Sequence, residues 1–247
     1  MFDNKLLELL DMVIDNYVSK WEPVGSKLLH SLEITEYAPS TLRKYLNILE
    51  KEWLVFQPYN SSGRIPTVQG LSLYLDSLLE IEQFTDEIKN IEVKKARESI
   101  KYIVELLWKV ADGVVVWFLR NDEYYFLWIN NLLRENLADE YENTRNIVNF
   151  IEEKKVTKLL DGKILKKNQI YYNFIEDWSE NFIACLYAKI TVNEFDSIIS
   201  IVWPRRMCYK KNIAIMKKVI DSISQWSTWE KTKTNSKDTK ILKLKSK

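Results

Sequence analysis

Glycine is scarce in this sequence. The chain contains 5 glycines among 247 residues, whereas an average usage of about 7% would give roughly 17. No glycine-rich loop of the kind that cradles phosphate groups is present, which excludes nucleotide-binding sites built on such a loop.

Cysteine and histidine are almost as rare. Cys185 and Cys208 lie far apart and His30 is the single histidine, so no spacing typical of a metal site exists. We expect both thiols to be ordinary residues of a reduced, cytoplasmic protein. No Ser/His/Asp or Cys/His arrangement and no acid pair that we can place in a cleft is recognisable. We therefore predict no enzymatic activity, no metal and no cofactor.

Long hydrophobic runs and an excess of charge are also missing. No apolar run approaches the roughly 18 residues of a membrane-spanning helix, and the N-terminus lacks a signal-peptide pattern. We therefore expect a soluble protein without a membrane partner. The formal net charge is +1, so no global basic field indicates a nucleic-acid partner. The length fits one or two domains, and 46% hydrophobic residues can bury a substantial core.

The N-terminal third has the pattern of a winged helix, a helix-turn-helix with an attached β-hairpin. Apolar residues at the 3.6-residue period predict three helices, the first capped at Asp3 or Asn4 and the third beginning at Pro39. The predicted helical faces are Leu6, Leu7, Leu10, Val13, Ile14, Tyr17 and Val18; Val24, Leu28, Leu29 and Leu32; and Leu42, Tyr45, Leu46 and Leu49. A strand is predicted at 53–57, and a return strand begins at Ile65. This order, over residues 1–79, is typical of duplex DNA recognition.

The polar face of the third helix and the hairpin loop supply the predicted DNA-binding residues. The helix presents Ser40, Thr41, Arg43, Lys44 and Asn47, which can reach base edges and phosphates. The loop and the second helix add Tyr59, Asn60, Ser61, Ser62, Arg64 and Lys27. An arginine at the rim of the loop can enter a minor groove or hold a phosphate. Each element alone also fits a solvated surface, but their order and spacing favour DNA binding.

The charge balance of this segment counts against DNA binding. Residues 1–75 contain seven Lys or Arg and nine Asp or Glu. The prediction therefore requires the basic side chains to cluster on one face and the acids of the first helix, Glu8, Asp11 and Asp15, to lie elsewhere. A small basic patch implies modest affinity per module, so we expect two modules to act together.

The rest of the chain completes an α+β fold. Residues 80–111 are predicted as a connecting helix, with an apolar seam at Val93, Ala96, Ile100, Ile103, Leu107 and Val110. Residues 112–227 are predicted as an α+β domain with an antiparallel sheet. Its strands are expected at 114–119, 124–129, 169–175, 181–190 and 197–202, and its helices at 135–160 and 212–226. Residues 228–247 are lysine-rich and are expected to be disordered.

Several motifs resemble the heat-inducible transcription repressor (HrcA) family. The most specific is Gly63-Arg64-Ile65-Pro66-Thr67. The others are Glu22-Pro23-Val24-Gly25-Ser26-Lys27, Pro39-x-Thr41-x-Arg43, Gln57-Pro58, Gly70, Tyr74-x-Asp76-x-Leu78-Leu79, the segment 127–133, and Pro204-Arg205-Arg206-Met207-Cys208-Tyr209. The resemblance implies a repressor of chaperone genes that binds an inverted-repeat operator as a homodimer. It also implies a GAF-like second domain and a chaperonin partner.

The sequence departs from the family in three places. Ala38 stands where the family usually has a serine N-cap, which removes about 1 kcal/mol of helix stabilisation. Lys44-Tyr45 replaces a common Asn-Asp pair, so different operator bases are expected. The domain that many members carry inside the second half has no room between Gly113 and Trp128. The operator sequence, the dimer geometry and any ligand of the second domain are left open.

Tryptophan is abundant where the family expects glycine. The chain has 9 tryptophans, and four of them, Trp21, Trp53, Trp128 and Trp203, occupy family glycine positions; Trp178 is a possible fifth. One hypothesis is that these positions are UGA codons that the cell reads as glycine. The alternative is genuine tryptophan in a divergent relative. Trp53 follows a helix, where glycine adopts a left-handed conformation more easily than a bulky residue.

Two functional hypotheses follow. The first is a homodimeric DNA-binding repressor of stress genes. The second is a ligand-sensing or protein-interaction module whose winged helix does not bind DNA.

Overall fold

The computed structural model describes residues 3–32, 35–81, 107, 109–111, 113–118, 124–127, 141–152, 164–176, 182–192, 195–204 and 206–224. The chain divides into two compact units. The first contains Met1–Gln83 together with the short segment Arg206–Lys210, and the second contains Phe84–Arg205 and Lys211–Lys247.

The first unit has the element order of a winged helix. Its elements are α1 (Asn4–Lys20), α2 (Ser26–Ser31), α3 (Pro39–Lys51), β1 (Val55–Phe56), β2 (Ile65–Pro66) and α4 (Val68–Glu80). Strands β1 and β2 pair antiparallel and form the wing hairpin. The helix-turn-helix with a hairpin that the sequence predicts is therefore present.

The helix starts follow the sequence signals. The carboxylate of Asp3 accepts a hydrogen bond from the backbone N–H of Lys5 at 3.3 Å and caps α1. Pro39 occupies the first turn of α3, and Ala38 before it makes no side-chain cap. The expected loss of an N-cap at Ala38 is therefore seen in the structure.

Two local predictions are wrong. Val24 does not lie on α2; it forms an isolated antiparallel bridge with Arg64, two residues before the helix begins. The wing strand covers Val55–Phe56 rather than 53–57, because Trp53 takes a left-handed conformation with φ 58° at the end of α3. A residue in that conformation cannot extend a strand.

The core of this unit is formed by the apolar faces predicted for the first three helices together with that of α4, which was not among the predicted helices. Its most buried side chains include Leu10, Val13, Ile14, Leu29, Leu42, Leu49, Leu71 and Leu75. Each side chain of this size contributes about 1.5–3 kcal/mol when it leaves water completely. The packing of α1, α3 and α4 thereby fixes the position of the wing and of the polar face of α3.

The second unit is built on one antiparallel sheet. The strands are β3 (Val114–Phe118), β4 (Tyr124–Leu127), β5 (Ile170–Glu176), β6 (Phe182–Val192) and β7 (Phe195–Pro204), in the order β4-β3-β7-β6-β5. All four neighbouring pairs are antiparallel. Helix α5 (Tyr141–Glu152) precedes β5, and a helix at 209–224, α6, follows β7. The predicted α+β class with an antiparallel sheet is confirmed.

Some predictions fall on other parts of the chain. Most of the predicted connecting helix at 80–111, Trp128, Trp178 and the tail at 228–247 lie outside the described residues. The domain boundaries at 79, 111 and 227 remain predictions. Within the described ranges, no helix combines the length and the apolar character that crossing a membrane requires.

Candidate nucleic-acid interface

The wing is held against the chain segment that enters α2. The N–H of Val24 donates to the carbonyl of Arg64 at 2.8 Å, and the N–H of Arg64 donates to the carbonyl of Val24 at 2.8 Å. This close approach depends on Gly63, because a Cβ there would lie 2.4 Å from the backbone carbonyl of Pro23. The glycine is needed for space between two backbones.

The Arg64 side chain connects the wing to α3. Its Nε donates to Glu50 Oε2 at 3.1 Å, and a terminal nitrogen lies 2.9 Å from the same oxygen. That nitrogen also donates to Asn47 Oδ1 at 3.2 Å, and the other donates to the carbonyl of Ser62 at 3.4 Å. Only 13% of the side chain is exposed. Arg64 is thus less open to solvent than a residue at the rim of a loop would be.

The wing loop turns some polar groups inward and others outward. The Ser62 N–H donates to the Tyr59 carbonyl at 3.0 Å, and Gln57 Nε2 donates to the Ser62 carbonyl at 3.0 Å. Ser62 is consequently half-buried, whereas Asn60 and Ser61 are exposed and Tyr59 is 65% exposed. The loop therefore presents Tyr59, Asn60 and Ser61 to solvent.

A polar cleft of about 510 Å³ lies between α2, α3 and the wing. Six predicted DNA-binding residues line it: Lys27, Arg43, Asn47, Ser61, Ser62 and Arg64. The other five, Ser40, Thr41, Lys44, Tyr59 and Asn60, do not line this cleft. Ser40 and Lys44 are exposed on α3 and Thr41 is half-buried there.

Sequence reasoning missed two polar residues at this site. Gln57 lines the cleft and bonds to the wing loop. Glu50 pairs with Arg64. Glu50 could have been identified from the sequence as a residue of this surface, because it lies one helical turn after Asn47 and thus on the same face of α3. Its ion pair with a residue 14 positions away could not be inferred from local spacing.

The acids of α1 are engaged elsewhere in the first unit. Asp15 accepts hydrogen bonds from the Tyr74 hydroxyl at 2.5 Å and from Lys210 Nζ at 2.5 Å. Burial raises the pKa of Asp11 to about 6; the charge of Lys210 opposes this, and Asp15 and Glu8 add to it. None of these three acids lines the cleft. Lys27, Arg43 and Arg64 thus share the cleft without the acids of α1, whereas Lys44 does not line it.

The wing and the third helix of this helix-turn-helix enclose a polar cleft with three basic side chains. Such an arrangement is typical of the winged-helix modules of transcription regulators. Curated relatives agree with this class. The chain is 35% identical over 100 residues to the heat-inducible transcription repressor HrcA of Ruminiclostridium cellulolyticum, covering 40% of this chain and 28% of the relative. The same repressor of Chelativorans sp. is 32% identical over 89 residues, covering 36% of this chain and 25% of the relative.

A third repressor of that name, from Kineococcus radiotolerans, is 39% identical over 82 residues, 33% of this chain and 24% of its own length. The resemblance that the sequence motifs indicate is thus confirmed over about a third to two fifths of this chain. The matched part spans about a quarter of the length of these relatives. No family model matches the chain.

One solved structure has the same overall fold. A crystal structure of a hypothetical protein at 2.2 Å resolution superimposes with a TM-score of 0.69 and 15% identity, covering 91% of this chain and 97% of the other. At this identity the similarity concerns the fold alone. It indicates that the arrangement of elements in both units occurs in another protein.

Proposed function

We propose that this protein is a sequence-specific DNA-binding repressor of heat-shock and chaperone genes that binds an inverted-repeat operator as a homodimer. The observation that carries the proposal is the cleft between α3 and the wing, where Lys27, Arg43 and Asn47 face the same space. The similarity to heat-inducible transcription repressors over the matched segment supports the choice of target genes.

Each part of the surface has a distinct task in this proposal. Helix α3 enters the major groove, where Arg43 and Asn47 read base edges and Ser40, Thr41 and Lys44 contact the backbone and adjacent bases. Tyr59, Asn60, Ser61 and Ser62 of the wing and Lys27 of α2 contact phosphates on either side. Arg64 contributes to the same surface from the base of the wing.

We infer a dimer because a single winged-helix module would bind DNA with low affinity. Three basic side chains at one cleft provide few phosphate contacts, and an inverted repeat presents two equivalent half-sites to a two-fold symmetric protein. In this proposal the second unit, with its five-stranded antiparallel sheet, is a GAF-like domain that joins two copies. By resemblance, a chaperonin is the partner that regulates the repressor in the cytoplasm.

The acidic balance of residues 1–75 favours a second function. These residues include nine acids and seven bases, and Arg64 is already paired to Glu50 at 2.9 Å. Few basic side chains are therefore left to contact DNA phosphates. The alternative is a ligand-sensing or protein-interaction module whose winged helix binds no DNA.

A salt-dependent binding experiment separates the two functions. The full-length chain is titrated into labelled duplexes that carry inverted repeats from upstream of chaperone genes, and into scrambled duplexes of the same length and composition. The repressor proposal expects tighter binding to the inverted repeat, with a logarithm of affinity that falls linearly as the logarithm of salt rises. Sedimentation of the complex is expected to give two chains per duplex.

Equal affinity for both duplexes, or no binding at low salt, would reject the repressor proposal and favour the alternative. A half-site duplex is the matched control, since a dimer should bind it far more weakly than the full inverted repeat. Tight binding of one chain to one half-site would contradict the dimeric arrangement.

A further inference from the structure

The Arg64 guanidinium makes three hydrogen bonds and an ion pair within the first unit. It contacts a carboxylate on α3, an amide on α3 and a carbonyl of the wing loop, through Glu50, Asn47 and Ser62 at 2.9–3.4 Å. A planar fork of donors can hold three such acceptors at once, which a lysine ammonium on a flexible stem does poorly. The contacts join the wing and α3 at a single residue.

The contact with Asn47 also determines how that amide is oriented. A guanidinium only donates hydrogen bonds, so the amide atom that faces it at 3.2 Å must be the oxygen. The Nδ2 group of Asn47 then points away from Arg64, and the residue is exposed at the cleft. Asn47 therefore offers donors to a partner, while its acceptor is partly occupied.

The bond from Arg64 fixes the orientation in which the Asn47 amide meets a base edge. An unrestrained asparagine pairs with adenine through two bonds, accepting from N6 and donating to N7. With Oδ1 engaged by Arg64, the Nδ2 group is oriented to donate to base atoms that accept, such as guanine O6 and N7, thymine O4 or adenine N7. The second lone pair of Oδ1 can still accept from adenine N6 in the same orientation.

We propose that Arg64 is a positioning residue for base recognition, which holds the wing against α3 and fixes the Asn47 amide so that its Nδ2 reads an acceptor on the operator. This inference rests on the proposed DNA-binding function. It assigns no phosphate contact to Arg64, and it makes Glu50 a member of the recognition surface although Glu50 is an acid.

The first test compares Arg64→Ala and Arg64→Lys with the parent in two measurements. Selection from randomised duplexes is expected to show a broader base preference at the position that Asn47 reads in both variants, because the amide is then free to turn over. Discrimination between operator and scrambled DNA is expected to fall on the order of tenfold. The salt dependence of binding is expected to stay at the parent value. If Arg64 instead contacts a phosphate, the base preference stays unchanged in both variants. The slope of log affinity against log salt concentration then falls by about 1 per module in Arg64→Ala, and Arg64→Lys binds like the parent.

The second test uses the acidic partner. Removal of an acid near DNA normally strengthens binding, because it reduces repulsion of phosphates. Glu50→Gln is nevertheless expected to lower operator discrimination, since it removes the anchor of Arg64. Glu52→Gln is the matched control, because Glu52 is exposed and two residues away; it is expected to leave discrimination unchanged. Equal effects of the two substitutions would overturn the proposal.

A third measurement does not depend on DNA. Hydrogen exchange of the Ser62 amide, which donates to Tyr59, is expected to accelerate at least tenfold in Arg64→Ala and Glu50→Gln but not in Glu52→Gln. Unchanged exchange in both variants would overturn the positioning role. If exchange responds as expected but the parent has no operator preference, the failure lies with the proposed function, and Arg64 then only stabilises the wing.

Discussion

The hydroxyl of Thr67 joins the end of α3 to the start of α4. It donates to the carbonyl of Trp53 at 2.6 Å and accepts from the N–H of Gly70 at 3.0 Å. One side chain thus caps α4 and satisfies a carbonyl at the left-handed residue that ends α3. The backbone N–H of Thr67 also donates to the Leu54 carbonyl at 3.1 Å.

Substitution Thr67→Val is expected to destabilise the first unit by about 1–2 kcal/mol. Valine keeps the branched shape, but it leaves the Gly70 N–H and the Trp53 carbonyl without the hydroxyl. Urea denaturation, followed by amide exchange in α4, measures the change. Thr67→Ser retains the hydroxyl and is the matched control, with a smaller expected loss. If valine and serine behave alike, the hydroxyl has no stabilising role.

Substitution Gly63→Ala is expected to destabilise the first unit by about 1–3 kcal/mol, as overpacking against a rigid neighbour does. The new Cβ would lie 2.4–2.5 Å from backbone atoms of Pro23 and Val24, so the bridge between Val24 and Arg64 must open. Thermal unfolding provides the measurement. Gly25→Ala is the control, because a Cβ at Gly25 meets only the Gly63 Cα at 4.0 Å. A Gly63→Ala protein as stable as Gly25→Ala would contradict the close approach.

The motif from Gly63 to Thr67 could be recognised from the sequence, but its physical basis could not. A glycine beside a hairpin loop is usually a turn residue, whereas the structure uses Gly63 for close approach to Pro23, 40 positions earlier. Likewise, Arg64 could be assigned to the wing, but its contacts with Glu50 and Asn47 depend on how α3 packs. Contacts between distant segments follow from tertiary packing, which local patterns do not encode.

The positions of helices and strands could be predicted from the sequence better than the contacts between distant segments. The period of apolar residues in α1 and α3 is a local property, and both helices bury the residues that this period selects, such as Val13 and Leu42. Runs rich in β-branched and aromatic residues predicted the five strands seen in the described part of the second unit, with boundaries within a few residues. Val24 was misplaced because an apolar residue just before a helix fits the same period as the helix itself.

Protonation of Asp11 is expected to stabilise the first unit in mild acid. Burial raises the pKa of Asp11 from 3.8 to about 6 in the folded protein. The folded state therefore binds a proton more tightly than the unfolded state, so this contribution is full below pH 4 and is lost as the pH rises to about 6. Stability attributable to Asp11 should fall across that interval, and Asp11→Asn should remove this fall.

Carbon NMR of the Asp11 carboxyl group measures the pKa directly, and unfolding at pH 4.5 and pH 7 measures its effect. Glu36→Gln, which removes an exposed acid of the same unit, is the control for a simple change in charge. A carboxyl group that titrates near pH 4, or an Asp11→Asn protein with the same pH dependence as the parent, would contradict the role of burial.

Substitution Arg43→Ala is expected to cost about 1–3 kcal/mol of operator binding if Arg43 reads a guanine. Arg43 is exposed on α3 and lines the cleft. Fluorescence anisotropy on operator and scrambled duplexes measures both affinity and discrimination. Lys51→Ala removes an equal charge from the end of α3 outside the cleft and is the matched control. Loss of affinity without loss of discrimination would show that Arg43 contacts phosphate and not a base.

Substitution of Trp53 by glycine is expected to stabilise the protein. Trp53 has φ 58° and is 73% exposed, so its indole contributes little packing while its backbone occupies a conformation that glycine adopts without strain. The positive φ is the left-handed conformation expected at a position that follows a helix, which glycine adopts more easily than a bulky residue. Trp21, with φ 62° at the end of α1, has the same backbone conformation.

Trp203 does not share this conformation. It lies in strand β7 and is 5% exposed, so its ring is buried, unlike that of Trp53. Trp53→Gly should therefore gain about 1 kcal/mol, whereas Trp203→Gly should lose stability because it leaves a cavity. Trp21→Gly should gain less than Trp53→Gly, because the Trp21 ring also lies 4.9 Å from the Arg206 guanidinium carbon.

These three variants test the conformational basis of the glycine hypothesis, and the codons test the hypothesis itself. UGA at positions 21 and 53 would mean that the cell places glycine at two left-handed helix ends, where a bulky side chain costs about 1–2 kcal/mol. UGG at positions 21, 53, 128 and 203 would establish tryptophan and reject recoding. A Trp53→Gly protein that is no more stable than the parent would contradict a conformational cost at Trp53, because an indole that is 73% exposed has little packing to lose.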